Sequence, residues 1–257
     1  TKKIISAAKK LKVIARAGAG VDNIDVPTAK ENNMLVMNTP GGNTNATAEH
    51  ALALIMSILR KIPYANDTTH KGKWEKKNIK GKELSKKTLG IVGFGNVGAR
   101  LSNLVKGFEV NILVNSQSLK TRQKDFPHVK NVSFDELISA SDIISFHCKA
   151  APDGKPLLNK EHYKKMKPTT FIINTARGNI VDETDLNAAL NENLIAGAAL
   201  DVYSKEPAKE NILFNNPKAI LTPHVAASTT EASVVVAEMA ANQISNFLLK
   251  GIKINTV

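Results

Sequence analysis

Three side chains suited to acid–base chemistry stand at separate points of the sequence. Arg177 lies in Asn174-Thr-Ala-Arg-Gly178, Glu206 in Asp201-Val-Tyr-Ser-Lys-Glu-Pro207, and His224 in Thr222-Pro-His-Val-Ala-Ala-Ser-Thr229. Taken singly, Glu206 reads equally well as half of a surface ion pair, and His224 as a strand-end histidine bonded to backbone. Together they supply what hydride transfer at a carbinol carbon requires. An imidazole moves the hydroxyl proton, a carboxylate orients it and stabilises imidazolium, and a guanidinium holds a substrate carboxylate and polarises the reacting oxygen. A fourth feature is Leu89-Gly-Ile-Val-Gly93-Phe-Gly95-Asn96-Val97-Gly98. Here an apolar strand runs into G-x-G-x-x-G and then a helix, expected over residues 99–106. Gly93 permits the tight turn, Gly95 lets a pyrophosphate approach the backbone, and Gly98 lets helix pack on strand. The free amides and positive dipole end at the helix N-terminus then face the phosphates, with Asn96 and Val97 counted as further cofactor contacts on the way into it. A bare glycine pattern means little, but strand, turn, helix and next strand are all in order here.

The acid expected about 20 residues further on, which would hold the ribose 2′-hydroxyl and repel a 2′-phosphate, is missing. The strand at residues 110–114 ends instead in Asn115-Ser-Gln-Ser118, with Lys120 and Arg122 behind it. Asn115 or Ser116 can hydrogen-bond a ribose hydroxyl. NAD is the leading cofactor, and NADP stays open.

These residues need a scaffold, and the sequence describes one. Short, unalternating apolar runs at residues 13–16, 35–38, 89–93, 110–114, 143–147, 171–174, 196–201 and 219–222 read as strands buried on both faces. Helical patterns alternate with them, the rhythm of an α/β protein with a parallel sheet. Ser133-x-x-Glu136 and Ser228-x-x-Glu231 fit capping boxes. Asn159 and Asp182 read as N-caps, Gly251 as the stop of a helix over 229–250, and Pro168 as the end of the helix before it. The expected architecture is a doubly wound, Rossmann-type domain with a smaller flavodoxin-like α/β domain.

Taken in order, these motifs closely resemble the D-isomer-specific 2-hydroxyacid dehydrogenase family over essentially the whole chain. The resemblance implies that Arg177, Glu206 and His224 are the catalytic set and that Asp201 faces the nicotinamide carboxamide. It maps further cofactor contacts onto His147, Cys148, Thr175, Ala176 and Ala226. The stretches Arg16-Ala-Gly-Ala-Gly-Val-Asp-Asn-Ile-Asp25, Met37-Asn-Thr-Pro-Gly-Gly-Asn43, Ala48-Glu-His and Gly72-Lys-Trp74 are most similar to members oxidising 3-phospho-D-glycerate to 3-phosphohydroxypyruvate, a step of serine biosynthesis. Glycerate, glyoxylate, hydroxypyruvate and lactate are the alternative substrates within the family. An NAD-sensing, corepressor-like binding protein is the alternative from another class. By the same logic the loop Arg16, Gly18, Ala19, Gly20 takes the substrate carboxylate and phosphate, though the two glycines also suit a tight turn alone. A helical arm over residues 45–74 makes a dimer or higher homo-oligomer. Residues 1–39 and 227–257 form the substrate domain in two parts, residues 40–226 the dinucleotide domain. The first part is small and lacks an initiator Met, so one or two strands are expected ahead of Thr1. No regulatory domain is expected after Val257, and hence no serine feedback through one, unless the chain is cut. In this sequence Lys149 replaces the proline of the family's His-x-Pro pattern, either solvated or beside the adenosine ribose, where it would favour NADP.

The 257 residues carry a net charge of +12 and one cysteine, Cys148. A lone cysteine makes no internal disulfide, which points to a reducing, cytoplasmic setting. The longest apolar run, residues 51–59, is about half the length of a bilayer span. His50, His70, His128 and His162 are scattered without paired ligand spacing, so no metal site is expected. Residues 71–87 hold eight lysines against Glu75 and Glu83. Half the excess charge therefore sits in one connection, not across a face sized for nucleic acid. That segment is either a solvated link or an arm carrying Lys76 and Lys77 to a neighbouring subunit's doubly anionic ligand.

Overall fold

Unbroken apolar runs of three to five residues are too short for helices and have no polar face for a one-sided sheet. They form parallel strands covered on both sides. The computed structural model describes residues 1–257. In chain order the elements are α1 (Lys2–Ala7), β1 (Val13–Ala15), α2 (Val26–Glu31), β2 (Leu35–Met37), α3 (Thr44–Arg60), α4 (Ile62–His70), β3 (Thr88–Val92), α5 (Asn96–Leu104), β4 (Asn111–Asn115), β5 (Val129–Asn131), α6 (Phe134–Ala140), β6 (Ile143–Phe146), α7 (Lys160–Tyr163), β7 (Phe171–Asn174), α8 (Glu183–Asn191), β8 (Gly197–Leu200), β9 (Ala219–Leu221) and α9 (Thr230–Lys250). They divide into two units, Thr1–Ala46 with Ala227–Val257, and Thr47–Ala226. The first boundary falls within the α3 segment, not after residue 39.

The larger unit holds a seven-stranded sheet in the order β5-β4-β3-β6-β7-β8-β9, parallel throughout. The chain builds outward from β3 in one direction, then returns to place β6 on its other side. This is the doubly wound arrangement expected of the sequence. Every residue of β6, β7 and β8 is buried. Successive residues serve opposite cores: Phe171 and Ile173 pack with Leu89, Ile91 and Leu101, whereas Ile172 packs with Phe146, Leu186 and Leu190. In the smaller unit β1 and β2 form a parallel pair over Ile5, Ala29, Met34 and Val36. The C-terminal tail returns to that pair, with Val257 N donating to Val36 O and Asn38 N donating to Asn255 O.

Several local expectations shift. All eight expected strands form, but β5 is an addition. Val129-Lys130-Asn131 has only one apolar residue, and it becomes a strand because β4 offers its edge. Helix α5 starts at Asn96, three residues earlier than expected, which puts Gly98 inside its first turn. Asn159 and Asp182 cap as expected, and Gly251 ends α9 at φ 68°. Ser133 caps α6, but the box expected with Glu136 does not close, because the Glu136 carboxylate accepts from Lys130 Nζ at 3.0 Å. Helix α9 is capped by Thr229, whose hydroxyl accepts from Ala232 N, and not by Ser228. The four-residue α7 stops at Tyr163, well before Pro168. The arm expected over 45–74 is two helices, broken where Lys61 adopts a left-handed conformation, and regular structure ends at His70. Residues 71–87 form no helix or strand.

The position of the α9 cap can be measured. Thr229→Ala should cost about 1 kcal/mol and Ser228→Ala close to nothing in urea unfolding. The reverse order would restore the serine as the cap.

Candidate active site

In a doubly wound sheet the connections leave in opposite directions from the strand where the winding reverses, and a crevice opens at the strand C-termini. Here that point lies between β3 and β6. Gly93, at φ 91°, turns the chain so tightly against the segment after β6 that a Cβ would stand 2.6 Å from Cys148 N. A Cβ on Gly98 would stand 2.3 Å from Gly93 O, whereas one on Gly95 would meet nothing within 4 Å. At two of the three glycines the space for a Cβ is taken by neighbouring backbone, and the third, at the N-cap of α5, faces open space. Just after β7, Thr175 carries a buried hydroxyl with no partner. An open cradle ahead of the Asn96 and Val97 amides, together with an orphaned hydroxyl at the same sheet edge, fits a dinucleotide. Ala176 N donates to Asn174 Oδ1, which shapes that turn.

The groups along the edge are held uncharged. Burial pushes the His147 pKa down to about 4, and its ring bonds Ser145 Oγ at 2.8 Å. Burial pushes the Cys148 thiol up to about 11. At the end of β4, Asn115 spends its amide on Val132 O at 2.9 Å. Ser116 Oγ pairs with Ser118 Oγ, which reaches Phe94 O. Lys149 is exposed.

Arg177, Glu206 and His224 follow β7, β8 and β9, three neighbouring strands. His224 Nδ1 meets Glu206 Oε2 at 2.6 Å. The other carboxylate oxygen accepts from Tyr203 N at 3.0 Å. With Nδ1–H donated to the carboxylate, Nε2 is left to exchange a proton with a substrate. Arg177 Nη1 donates to Ala176 O at 2.7 Å. His224 itself sits at φ 53°, a left-handed conformation costing roughly 1–2 kcal/mol for a non-glycine residue.

Asp201 balances that strain. Its carboxylate is fully buried at the end of β8. Oδ1 accepts from Thr222 Oγ1 at 2.6 Å and Val225 N at 2.9 Å, and Oδ2 from Ala226 N at 2.8 Å. These bonds flank His224 on both sides. Burial pulls the Asp201 pKa upward, but donation from His50, Thr222, Val225 and Ala226 outweighs it and holds the carboxyl below its usual value. His50 Nε2 lies 3.2 Å from Thr222 Oγ1 and 3.5 Å from Asp201 Oδ1. Sequence reading set His50 aside as a scattered histidine. No spacing rule reaches a partner 172 residues away.

In the smaller unit Arg16, Gly18, Ala19 and Gly20 lie on one loop after β1. Thr39 Oγ1 receives Gly18 N at 2.6 Å, Asn38 Nδ2 donates to Ala19 O, and the Arg16 guanidinium folds over Gly18, which is at φ 148°. Lys76 and Lys77 are exposed in the irregular segment of the larger unit.

Residues 52–226 match the family described as D-isomer specific 2-hydroxyacid dehydrogenase, NAD binding domain. The chain belongs to the D-isomer specific 2-hydroxyacid dehydrogenases, and its larger unit carries their NAD-binding domain. It is 45% identical over 97% of its length to D-3-phosphoglycerate dehydrogenase of Synechocystis. It is 41% identical over 90% of its length to hydroxypyruvate reductase of Thermotoga maritima, of which it covers 76%. A glyoxylate reductase structure from Paecilomyes thermophila aligns over all of this chain and 78% of its own, with TM-score 0.91 and 34% identity. The chain spans 45% to 48% of the length of the D-3-phosphoglycerate dehydrogenases of Synechocystis, Archaeoglobus fulgidus and Bacillus subtilis that it matches. No helix is long and apolar enough to cross a membrane.

Asp201→Asn tests the anchor of this candidate site. It sets an amide N–H among backbone N–H groups and should cost about 2–4 kcal/mol of stability at neutral pH. A carboxyl with a depressed folded-state pKa stabilises fully above its unfolded value of about 3.9 and loses that contribution as pH falls through the folded value. The gap between wild type and variant in urea unfolding should therefore stay constant from about pH 7 down to about pH 5 and narrow below about pH 4. An unchanged gap would remove the charged carboxylate as its source.

Proposed function

We propose that this chain carries the catalytic core of an NAD-dependent dehydrogenase oxidising 3-phospho-D-glycerate to 3-phosphohydroxypyruvate. The observation that carries the reading is the 2.6 Å contact of His224 Nδ1 with Glu206 Oε2 on the sheet edge that holds the dinucleotide cradle. His224 Nε2 takes the hydroxyl proton as the C2–H bond breaks. Glu206 stabilises the imidazolium so formed. Arg177 pairs with the substrate carboxylate and polarises the oxygen that becomes the carbonyl. When bound, NAD supplies the acceptor for the C2 hydride. Gly93, Gly95, Asn96, Val97, Gly98, Ser116 and Thr175 would hold it, with Asp201 beside the nicotinamide carboxamide and His147, Cys148, Ala176 and Ala226 lining the edge. The Arg16 to Gly20 loop takes the anionic groups of the substrate. In a homodimer or higher oligomer, Lys76 and Lys77 reach a neighbour's phosphate.

The substrate choice is supported by the identity to phosphoglycerate dehydrogenases and by the lysine-rich segment 71–87. The second reading, an unphosphorylated 2-hydroxy acid, is supported by the hydroxypyruvate reductase at 41% identity.

Turnover with 3-phosphoglycerate and glycerate, each with NAD and NADP and followed by reduced-cofactor fluorescence, separates these readings. Higher kcat/KM on the phosphorylated acid with NAD is expected, and preference for glycerate would favour the second. His224→Ala should lower kcat about 10²–10⁴-fold. Arg177→Ala should lower kcat and raise KM together. Wild-type turnover in either variant would remove the mechanism. Replacing Lys76 and Lys77 by Gln should raise KM for the phosphorylated acid and spare the others. An unchanged KM would make segment 71–87 a solvated link.

A further inference from the structure

Glu206 must present one carboxylate oxygen to His224, yet it stands in a segment with no helix or strand between β8 and β9, and a third of its side chain is exposed, 34%. Secondary structure does not hold it. We infer that Glu183, the first residue of α8, is a positioning residue that keeps Glu206 on His224, an inference that rests on the catalytic reading above.

The Glu183 carboxylate receives three donors from the Glu206 segment. Oε1 accepts from Ser204 N at 2.8 Å, and Oε2 from Ser204 Oγ at 2.8 Å and Asn211 Nδ2 at 2.9 Å. The two donor residues bracket Glu206 in sequence, so one carboxylate ties down the segment on both sides of it. The tie leads to a rigid body. Helix α8 is capped by Asp182 and buries Leu186, Ala189 and Leu190. A second attachment lies beside the first. A Cβ on Gly178 would stand 1.8 Å from Tyr203 C and 2.4 Å from Ser204 N, so the residue after Arg177 is in backbone contact with the same segment. Tyr203 closes the arrangement by donating its N–H to Glu206 Oε1 and its hydroxyl to Thr222 O, two residues before His224. The three carboxylate bonds run from Glu183 to the Glu206 segment and not to His224. Its effect passes through the Ser204 and Asn211 donors to the Glu206 backbone.

Replacement by Gln preserves the size of Glu183 but puts an N–H group where an oxygen received donors. Glu183→Gln should lower kcat about 10–100-fold, the order expected for misplacing a catalytic group by an ångström, with the Kd for NADH within about twofold of wild type. Asn211→Ala, which leaves α8 intact, should lower kcat in the same direction by less, and it decides the matter if Glu183→Gln does not fold. Each is repeated in a Glu206→Gln background, where the further loss should be under about twofold because the group being positioned is gone. Equal fold losses in both backgrounds, or wild-type kcat in a folded Glu183→Gln or Asn211→Ala protein, would overturn the inference. If Glu206→Gln lowers kcat while those variants do not, this inference alone fails. Wild-type kcat in Glu206→Gln itself would overturn both it and the catalytic reading.

Discussion

A carboxylate removed from water must be satisfied where it lies, and Asp201 is satisfied by the segment that carries His224. Its two oxygens take a hydroxyl and two backbone amides from residues 222, 225 and 226. A buried charge left without such partners costs several kcal/mol, so wherever Asp201 is ionised the chain after β9 must adopt this path. The left-handed backbone of His224 is a consequence. The penalty for that conformation is small beside the cost of breaking the bonds around it, so the backbone that carries the imidazole is held in place. The neighbouring Glu206 segment is arranged about this fixed point.

The sheet makes the arrangement possible. Parallel strands end on one side, so residues more than a hundred positions apart in sequence, from Gly93 to His224, emerge along one edge. Burial of β6, β7 and β8 on both faces gives that edge a rigid base. The candidate site rests on features the core does not dictate: an open position at Gly95, an unpartnered hydroxyl at Thr175, and a half-exposed acid–imidazole pair. Burial also keeps His147 and Cys148 neutral beside the glycine turn.

Much of this could be read from local chemistry. Apolar runs without alternation announced buried parallel strands, and eight of the nine formed near the expected bounds. The ninth, Val129–Asn131, escaped because an edge strand with an exposed lysine has no signature apart from the neighbour it pairs with. Cap positions followed where a side chain had one local use, as at Ser133, Asn159 and Asp182. They slipped where two adjacent hydroxyls competed, as at Ser228 and Thr229, since sequence cannot say which residue takes the extended backbone of the cap. Helix α5 began early because its first turn is built on glycines, which carry no helical signal until the strand beneath them is in place.

The types of group available for chemistry were written in the chain: a glycine pattern after an apolar strand, and an arginine, a glutamate and a histidine each following another strand. Side-chain chemistry and periodicity are local properties, and they survive in one dimension. Partnership is not local. That His50 joins Asp201, that Asn115 turns its amide to Val132, and that Glu183 gathers Ser204 and Asn211 depend on distances set only once the sheet has closed. Hydrogen bonds act over about 3 Å, and only the tertiary structure decides which distant residues come that close.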